Sequence, residues 1–168
     1  NGTKVDLTKL ELATIGTGGG ESISGNREEF GGRNDALNGL DGDDTLYGLY
    51  GDDVLHGGAG ADNLYGGAGS DRFTFDSVSA FDAIDTVQDF TIAEGDIIDI
   101  SDVLDGFTTS SNITDFARFV DSGADTTLEI DLDGTANGVN FEAVATIIGG
   151  AGLNISTLYS NGFVDAIA

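Results

Sequence analysis

Apolar side chains recur at every ninth position between residues 30 and 74: Leu37, Leu46, Leu55, Leu64 and Phe73. Written in nines, the stretch reads FGGRNDALN, GLDGDDTLY, GLYGDDVLH, GGAGADNLY and GGAGSDRFT. Two places ahead of each apolar residue stands Asp35, Asp44, Asp53, Asp62 or Asp71. The fourth place is Gly42, Gly51, Gly60 and Gly69, with Arg33 as the exception. An upstream segment, GTGGGESIS at 16–24, keeps the pattern through Glu21 and Ile23, and residues 25–29 interrupt the phase. Past Phe73 the period is lost. Phe75, Ile84, Val87, Phe90, Ile97, Ile98 and Ile100 then predict short strands between acidic turns. Leu128, Ile130 and Leu132 alternate with Glu129, Asp131 and Asp133, which predicts a half-buried strand. Segments 116–120 and 141–148 are its expected antiparallel neighbours, joined through turns at 122–124 and 133–138.

Charge changes the picture next. Thirty acids, 23 of them Asp, face six bases, for a formal charge of −24 over 168 residues. So few bases cannot footprint a phosphate backbone, and an anionic membrane surface would repel the chain. No apolar run approaches the length of a membrane-spanning helix, and the N-terminus has no signal-peptide pattern. With no Cys and one His, zinc and iron–sulfur sites are excluded. A hydrophobic content of 39% argues against disorder. A foldable chain rich in short carboxylates implies a partner that cancels charge, and divalent cations are the first candidate. The missing initiator Met suggests a piece of a longer protein.

The nonapeptide resembles the G-G-x-G-x-D-x-U-x unit of the repeats-in-toxin (RTX) family, a calcium-binding parallel β-helix repeat. The resemblance implies an all-β fold, a right-handed parallel β-roll with a β-rich cap. Six loop residues followed by three extended ones cannot bury an apolar side chain alone. Two units make an 18-residue coil, and stacked coils bury the eighth-position side chains in a thin core.

Stacking brings Asp35 over Asp53, Asp53 over Asp71 and Asp44 over Asp62. At a strand spacing of about 4.8 Å each pair costs roughly 3 kcal/mol. Three pairs together rival the stability of a whole domain, of order 10 kcal/mol. Calcium between the coils reverses that sign, because it accepts six to eight oxygens in flexible geometry. The expected metal residues are Asp35, Asp44, Asp53, Asp62 and Asp71, the glycine turns at Gly42, Gly51, Gly60 and Gly69, and Asp85, preferred over Asp82, from the cap. Residues 30–74 carry eight Asp and two Arg, which three calcium ions would neutralise; the whole chain is expected to take about three to six.

Residues 71–104 are similar to the segment that follows the repeats in RTX proteases and adhesins. The later hairpins and the tail LNISTLYSNGFVDAIA resemble the targeting domain of large adhesins exported by type I secretion. The expected division is an N-terminal capping strand at 1–15, the roll at 16–74, a cap at 75–112 and a secretion region at 113–168. Glu129, Asp131, Asp133 and Gly134 mimic the start of an EF-hand loop, but Asn140 replaces its final Glu and the flanks are strands.

No catalytic constellation is present. His56 occupies a variable ninth position, and neither H-E-x-x-H nor G-x-S-x-G occurs. Asp43–Asp44 and Asp52–Asp53 follow the repeat phase, with the first Asp of each pair expected to face solvent. Three functions fit: a non-catalytic, calcium-dependent export and folding module of a secreted or cell-surface adhesin; a glycan- or surface-binding module using Tyr47, Tyr50 and Tyr65; or the accessory domain of a secreted enzyme. The expected partners are calcium ions, the type I secretion machinery and surface glycans, and the chain is expected to be a monomer.

Overall fold

A computed structural model of the chain describes residues 13–25, 33–77, 79–104, 107–108, 111–131 and 140–166. Thirteen strands among these residues form two sheets. Strands β1 (Ala13–Ile15), β3 (Ala36–Asp41), β5 (Val54–Ala59), β7 (Arg72–Thr74), β9 (Ile97–Asp99) and β13 (Val164–Asp165) line up in that order, all parallel. The second sheet begins with β2 (Ser22–Ser24), β4 (Thr45–Tyr50), β6 (Asn63–Ala68) and β8 (Asp85–Val87). It continues through β12 (Phe141–Ile147), which is parallel to β8, and then antiparallel through β11 (Asp125–Asp131) to β10 (Ala117–Ser122).

The repeat alternates between the sheets because nine is odd and each turn reverses the chain. Successive coils pair 18 residues apart, Ala36 with Val54 and Thr45 with Asn63. The strands are six residues long rather than the three expected, running from the seventh place of one unit to the third of the next. The physical reason is the glycine that opens each unit. Gly39, Gly48, Gly57 and Gly66 are buried, so the in–out alternation continues through them and the loop shrinks to three residues. The five-residue interruption appears as a pairing step of 23 from β2 to β4, and lies between β2 and β3.

Two columns of apolar side chains make the core. One runs Leu37, Leu55, Phe73, Ile98, Val164; the other Ile23, Leu46, Leu64, Val87, Ile147. Leu46, Leu55, Leu64 and Phe73 are fully buried. Both columns pass through the boundaries expected at 74/75 and 112/113, since β8, β9, β12 and β13 extend the same sheets.

The antiparallel neighbours of the 125–131 strand appear as expected, with a turn at Gly123 (φ +76°). The EF-hand-like residues Asp133 and Gly134 lie outside the described residues, as do residues 1–12 of the proposed capping strand; Ala13–Ile15 is a roll strand paired with β3. The tail contains an unexpected helix, α1 (Ile155–Ser160), opened by Asn154, whose side chain accepts the Thr157 N–H. Phe107, Phe116 and Tyr159 form an edge-on aromatic cluster joining this helix to the hairpins.

Candidate metal centre

Each repeat aspartate grips the coil before it. The Asp35 N–H donates to Asp53 Oδ1 at 2.7 Å, Asp44 N–H to Asp62 Oδ1 at 2.7 Å, and Asp53 N–H to Asp71 Oδ1 at 2.9 Å. The cap continues both ladders, with Asp62 N–H donating to Asp85 Oδ1 and Asp71 N–H to Asp96 Oδ1, each at 3.0 Å. At the other end Glu21 N–H donates to Asp44 Oδ1 at 2.7 Å. One ladder is therefore Glu21–Asp44–Asp62–Asp85 and the other Asp35–Asp53–Asp71–Asp96. The first stops where Ala145 takes the register position after Asp85.

The second carboxylate oxygen is where the chemistry lies. Oδ2 of Asp44, Asp53, Asp62 and Asp71 is buried and accepts no hydrogen bond. A buried anion with an orphaned oxygen is expensive unless a cation meets it. The surroundings suit one. A side chain at Gly48 would collide with Asp53 Oδ2 and with the Gly66 carbonyl oxygen one coil on. Gly39 is placed in the same way between Asp44 Oδ2 and the Gly57 carbonyl oxygen. Glycine keeps this oxygen-lined space open. The turn glycines Gly42, Gly51, Gly60 and Gly69 all adopt positive φ, between +112° and +137°, so each turn reverses without a side chain in the way. Among the described residues no three acidic or imidazole side chains converge. A cation here would draw on a few Asp oxygens and complete its shell from backbone carbonyls, which matches calcium's preference for mixed oxygen ligands.

Burial sets the proton affinity. It pushes Asp53 up to about 6 and Asp71 to about 7, against the lowering effect of the N–H bond each accepts. Asp85 rises to about 7 for the same reason. Asp44, Asp62 and Asp96 are also raised, by burial first. Neighbouring carboxylates add to the rise, including Asp35 beside Asp53 and Asp53 beside Asp71. Glu21 shifts the other way, lowered by bonds from the Thr17 hydroxyl and N–H.

Sequence reasoning brought together Asp35, Asp44, Asp53, Asp62, Asp71 and Asp85, and these share the ladders. Asp82 is exposed on a turn. Asp96 was missed. Its signal was the Asp-x-apolar spacing, which survives the loss of the nonapeptide in Asp85-Thr86-Val87 and Asp96-Ile97-Ile98. Asp89 was missed as well, and accepts N–H bonds from Gly66 and Gly67 at 2.9 and 3.0 Å. Asp43 and Asp52 are exposed, but they do more than face solvent. Asp43 Oδ1 accepts the Ala61 N–H and Asp52 Oδ1 the Ser70 N–H, both at 2.9 Å, forming an outer ladder across coils. His56 points outward from β5 between the Thr74 carbonyl at 3.2 Å and Asp76 at 3.1 Å.

A family model for the RTX calcium-binding nonapeptide repeat (four copies) matches residues 31–64 and 47–77. The solution structure of the AlgE6R3 subunit from the Azotobacter vinelandii mannuronan C5-epimerase is similar at 29% identity and a TM-score of 0.48, over 88% of this chain and 76% of that one. No curated protein matches the chain. Residues 31–77 are RTX nonapeptide repeats, and such repeats bind calcium.

Proposed function

We propose that this chain is a non-catalytic module that calcium folds outside the cell, at the C-terminal end of a bacterial adhesin exported by type I secretion. The observation that carries the proposal is the buried, orphaned Oδ2 of Asp44, Asp53, Asp62 and Asp71. At neutral pH those oxygens oppose coil formation until a cation arrives. Asp35, Asp44, Asp53, Asp62, Asp71 and Asp85 would hold the ions, with Asp96 added, and carbonyls of the glycine turns would complete the shells. Three to six ions per chain suit this arrangement. Cytosolic calcium is too scarce for weak sites, so the chain stays extended and threads a channel; extracellular modules bind calcium at about 10⁻⁴–10⁻³ M and fold there. Residues 16–74 form the calcium-folded roll, 75–112 the cap and 113–168 the export region. The adhesin context rests on the tail and hairpin resemblance. Among the described residues no helix is long and apolar enough to cross a membrane.

Circular dichroism during a calcium titration from excess chelator tests the folding step. A coil-like spectrum converting to β near millimolar calcium is expected, and a fully folded spectrum in chelator would refute it. Export of a passenger fused to the chain, with and without residues 113–168, tests the transport step. Undiminished export of the deleted form would refute that part alone.

A further inference from the structure

Outside the metal ladders, the second sheet carries a groove of about 320 Å³ on its outer face, lined by Tyr47, Leu49, Tyr50, Tyr65, Gly67 and Asp89. Its volume falls in the range of small-ligand sites, about 300–1,000 Å³. Three of the chain's four tyrosines are here. Tyr47 and Tyr65 stack at 4.8 Å between ring centroids and 16° between planes, one coil above the other. Tyr50 is 56% exposed.

Leu49 has a left-handed backbone. The second place of the unit is glycine at Gly58 and Gly67, at φ +102° and +100°. Leu49 adopts the same left-handed backbone at φ +82° and is paired with Gly67. A leucine is strained there, and Leu40, at the same place of the preceding unit and paired with Gly58, shares that conformation at φ +77°. Gly67 in turn admits no side chain, since one would collide with the Leu49 backbone. The strained leucine and the obligatory glycine thus shape the groove together. What sets this place apart from Leu40 is the aromatic floor beside it: the stacked Tyr47–Tyr65 pair and the exposed Tyr50 give the half-buried Leu49 a groove that a ligand can enter.

Charge decides which ligand. The chain carries −24, and Asp89 contributes a carboxylate to the groove. A second copy of the chain and an acidic glycan are both repelled, whereas a cation is drawn in. Tyrosine rings attract cations over their faces, and a guanidinium combines ring stacking with pairing to a carboxylate. We propose that this groove binds an arginine side chain of a basic peptide segment, its methylene stem over Leu49 and its guanidinium held by Asp89 and a tyrosine ring. A neutral glycan, the other occupant that tyrosines would suit, gains nothing from the surrounding negative field.

Tyrosine emission is a direct reporter, because the chain has no Trp. The calcium-saturated chain would be titrated with a tyrosine-free Gly-Gly-Arg-Gly-Gly peptide, its citrulline counterpart and a neutral oligosaccharide. Saturable change with the arginine peptide only, weakened about tenfold or more by Y50A and by L49G, is expected. L49G separates binding from folding, because glycine suits that backbone and should leave the calcium-folded spectrum intact. Equal binding of the citrulline peptide, saturable binding of the sugar alone, or binding unchanged in L49G and Y50A would each overturn the proposal. Calcium saturation keeps this result separate from occupancy of the Asp ladders.

Discussion

The nonapeptide stack and the C-terminal half share two continuous sheets yet rest on different forces. In the stack each coil contributes one buried apolar side chain per strand and two carboxylates gripping the coil before it. In the C-terminal half the antiparallel strands β10 to β12 bury Leu128, Ile130, Val144, Ala145 and Ile147, with Phe116 and the α1 helix packed against them. The first arrangement is thin and electrically frustrated without metal. The second has an ordinary core. Membership of one continuous sheet therefore does not mean identical stability, and the carboxylates decide where the fold depends on ions.

The largest effect that tests this contrast is removal of calcium. Amide hydrogen exchange in excess chelator should show strands β3 to β7 losing protection while β10 to β12 retain more of it. Uniform loss across both regions would show the shared sheets acting as one cooperative unit.

Next comes a matched pair of cavities. Leu55→Ala and Leu128→Ala remove fully buried side chains and should each cost about 2–5 kcal/mol in the calcium-loaded chain. Only Leu55→Ala is expected to raise the calcium midpoint markedly, because burial and ion binding are coupled in the stack. Equal shifts in both midpoints would erase the distinction.

Acid should partly replace the metal. Burial raises Asp53 to about 6 and Asp71 and Asp85 to about 7, from an ordinary 3.8. Between those values the folded chain binds more protons than the unfolded one, so metal-free stability falls as pH rises from about 4 to 7. In chelator, β signal should be greater near about pH 5 than near about pH 7.5, with calcium affinity showing the opposite trend. A metal-free signal that grows with pH would contradict the burial argument.

The smallest effects belong to the tail. Arg72 of β7 meets Asp99 at 2.7 Å and Asp165 at 3.1 Å, tying the edge strand β13 and its neighbour β9 to the stack. Arg72→Met should cost no more than about 1 kcal/mol, since the groups are partly exposed. Asn154→Ala should cost about 1 kcal/mol through loss of the helix cap. Both are measurable as shifts in denaturant midpoint of the calcium-loaded chain.

The roll was legible because its period is strict: five phased Asp and five phased apolar residues leave one stacking register. The cap was only partly legible, since loops of varying length replace the nine-residue count and pairing steps become 23 and 25. Asp85 was found from its neighbourhood, whereas Asp96 required following the Asp-x-apolar triplet through that change of step. Strand length was underestimated because glycine is read as a loop signal, while Gly39, Gly48, Gly57 and Gly66 lie inside strands, where the side chain of the Asp five residues on leaves no room for another. Helix α1 escaped notice for want of length: six residues give little periodicity, and its signature lay in Asn154 ahead of it and Gly162 behind it.

The aspartate bonds also give the stack a direction. Every N–H of the two inner ladders is held by a carboxylate that arrives later in the chain, by 18, 23 or 25 residues. The outer ladder of Asp43 and Asp52 runs the other way. Along the inner ladders a given coil therefore completes its predecessor and waits on its successor. Glu21, at the far end, turns its carboxylate back on Thr17 of its own loop. Support in this column runs like a keystone sequence from the C-terminal end backwards. Trimming at that end removes acceptors of the inner ladders first, while trimming at the other removes those of the outer ladder.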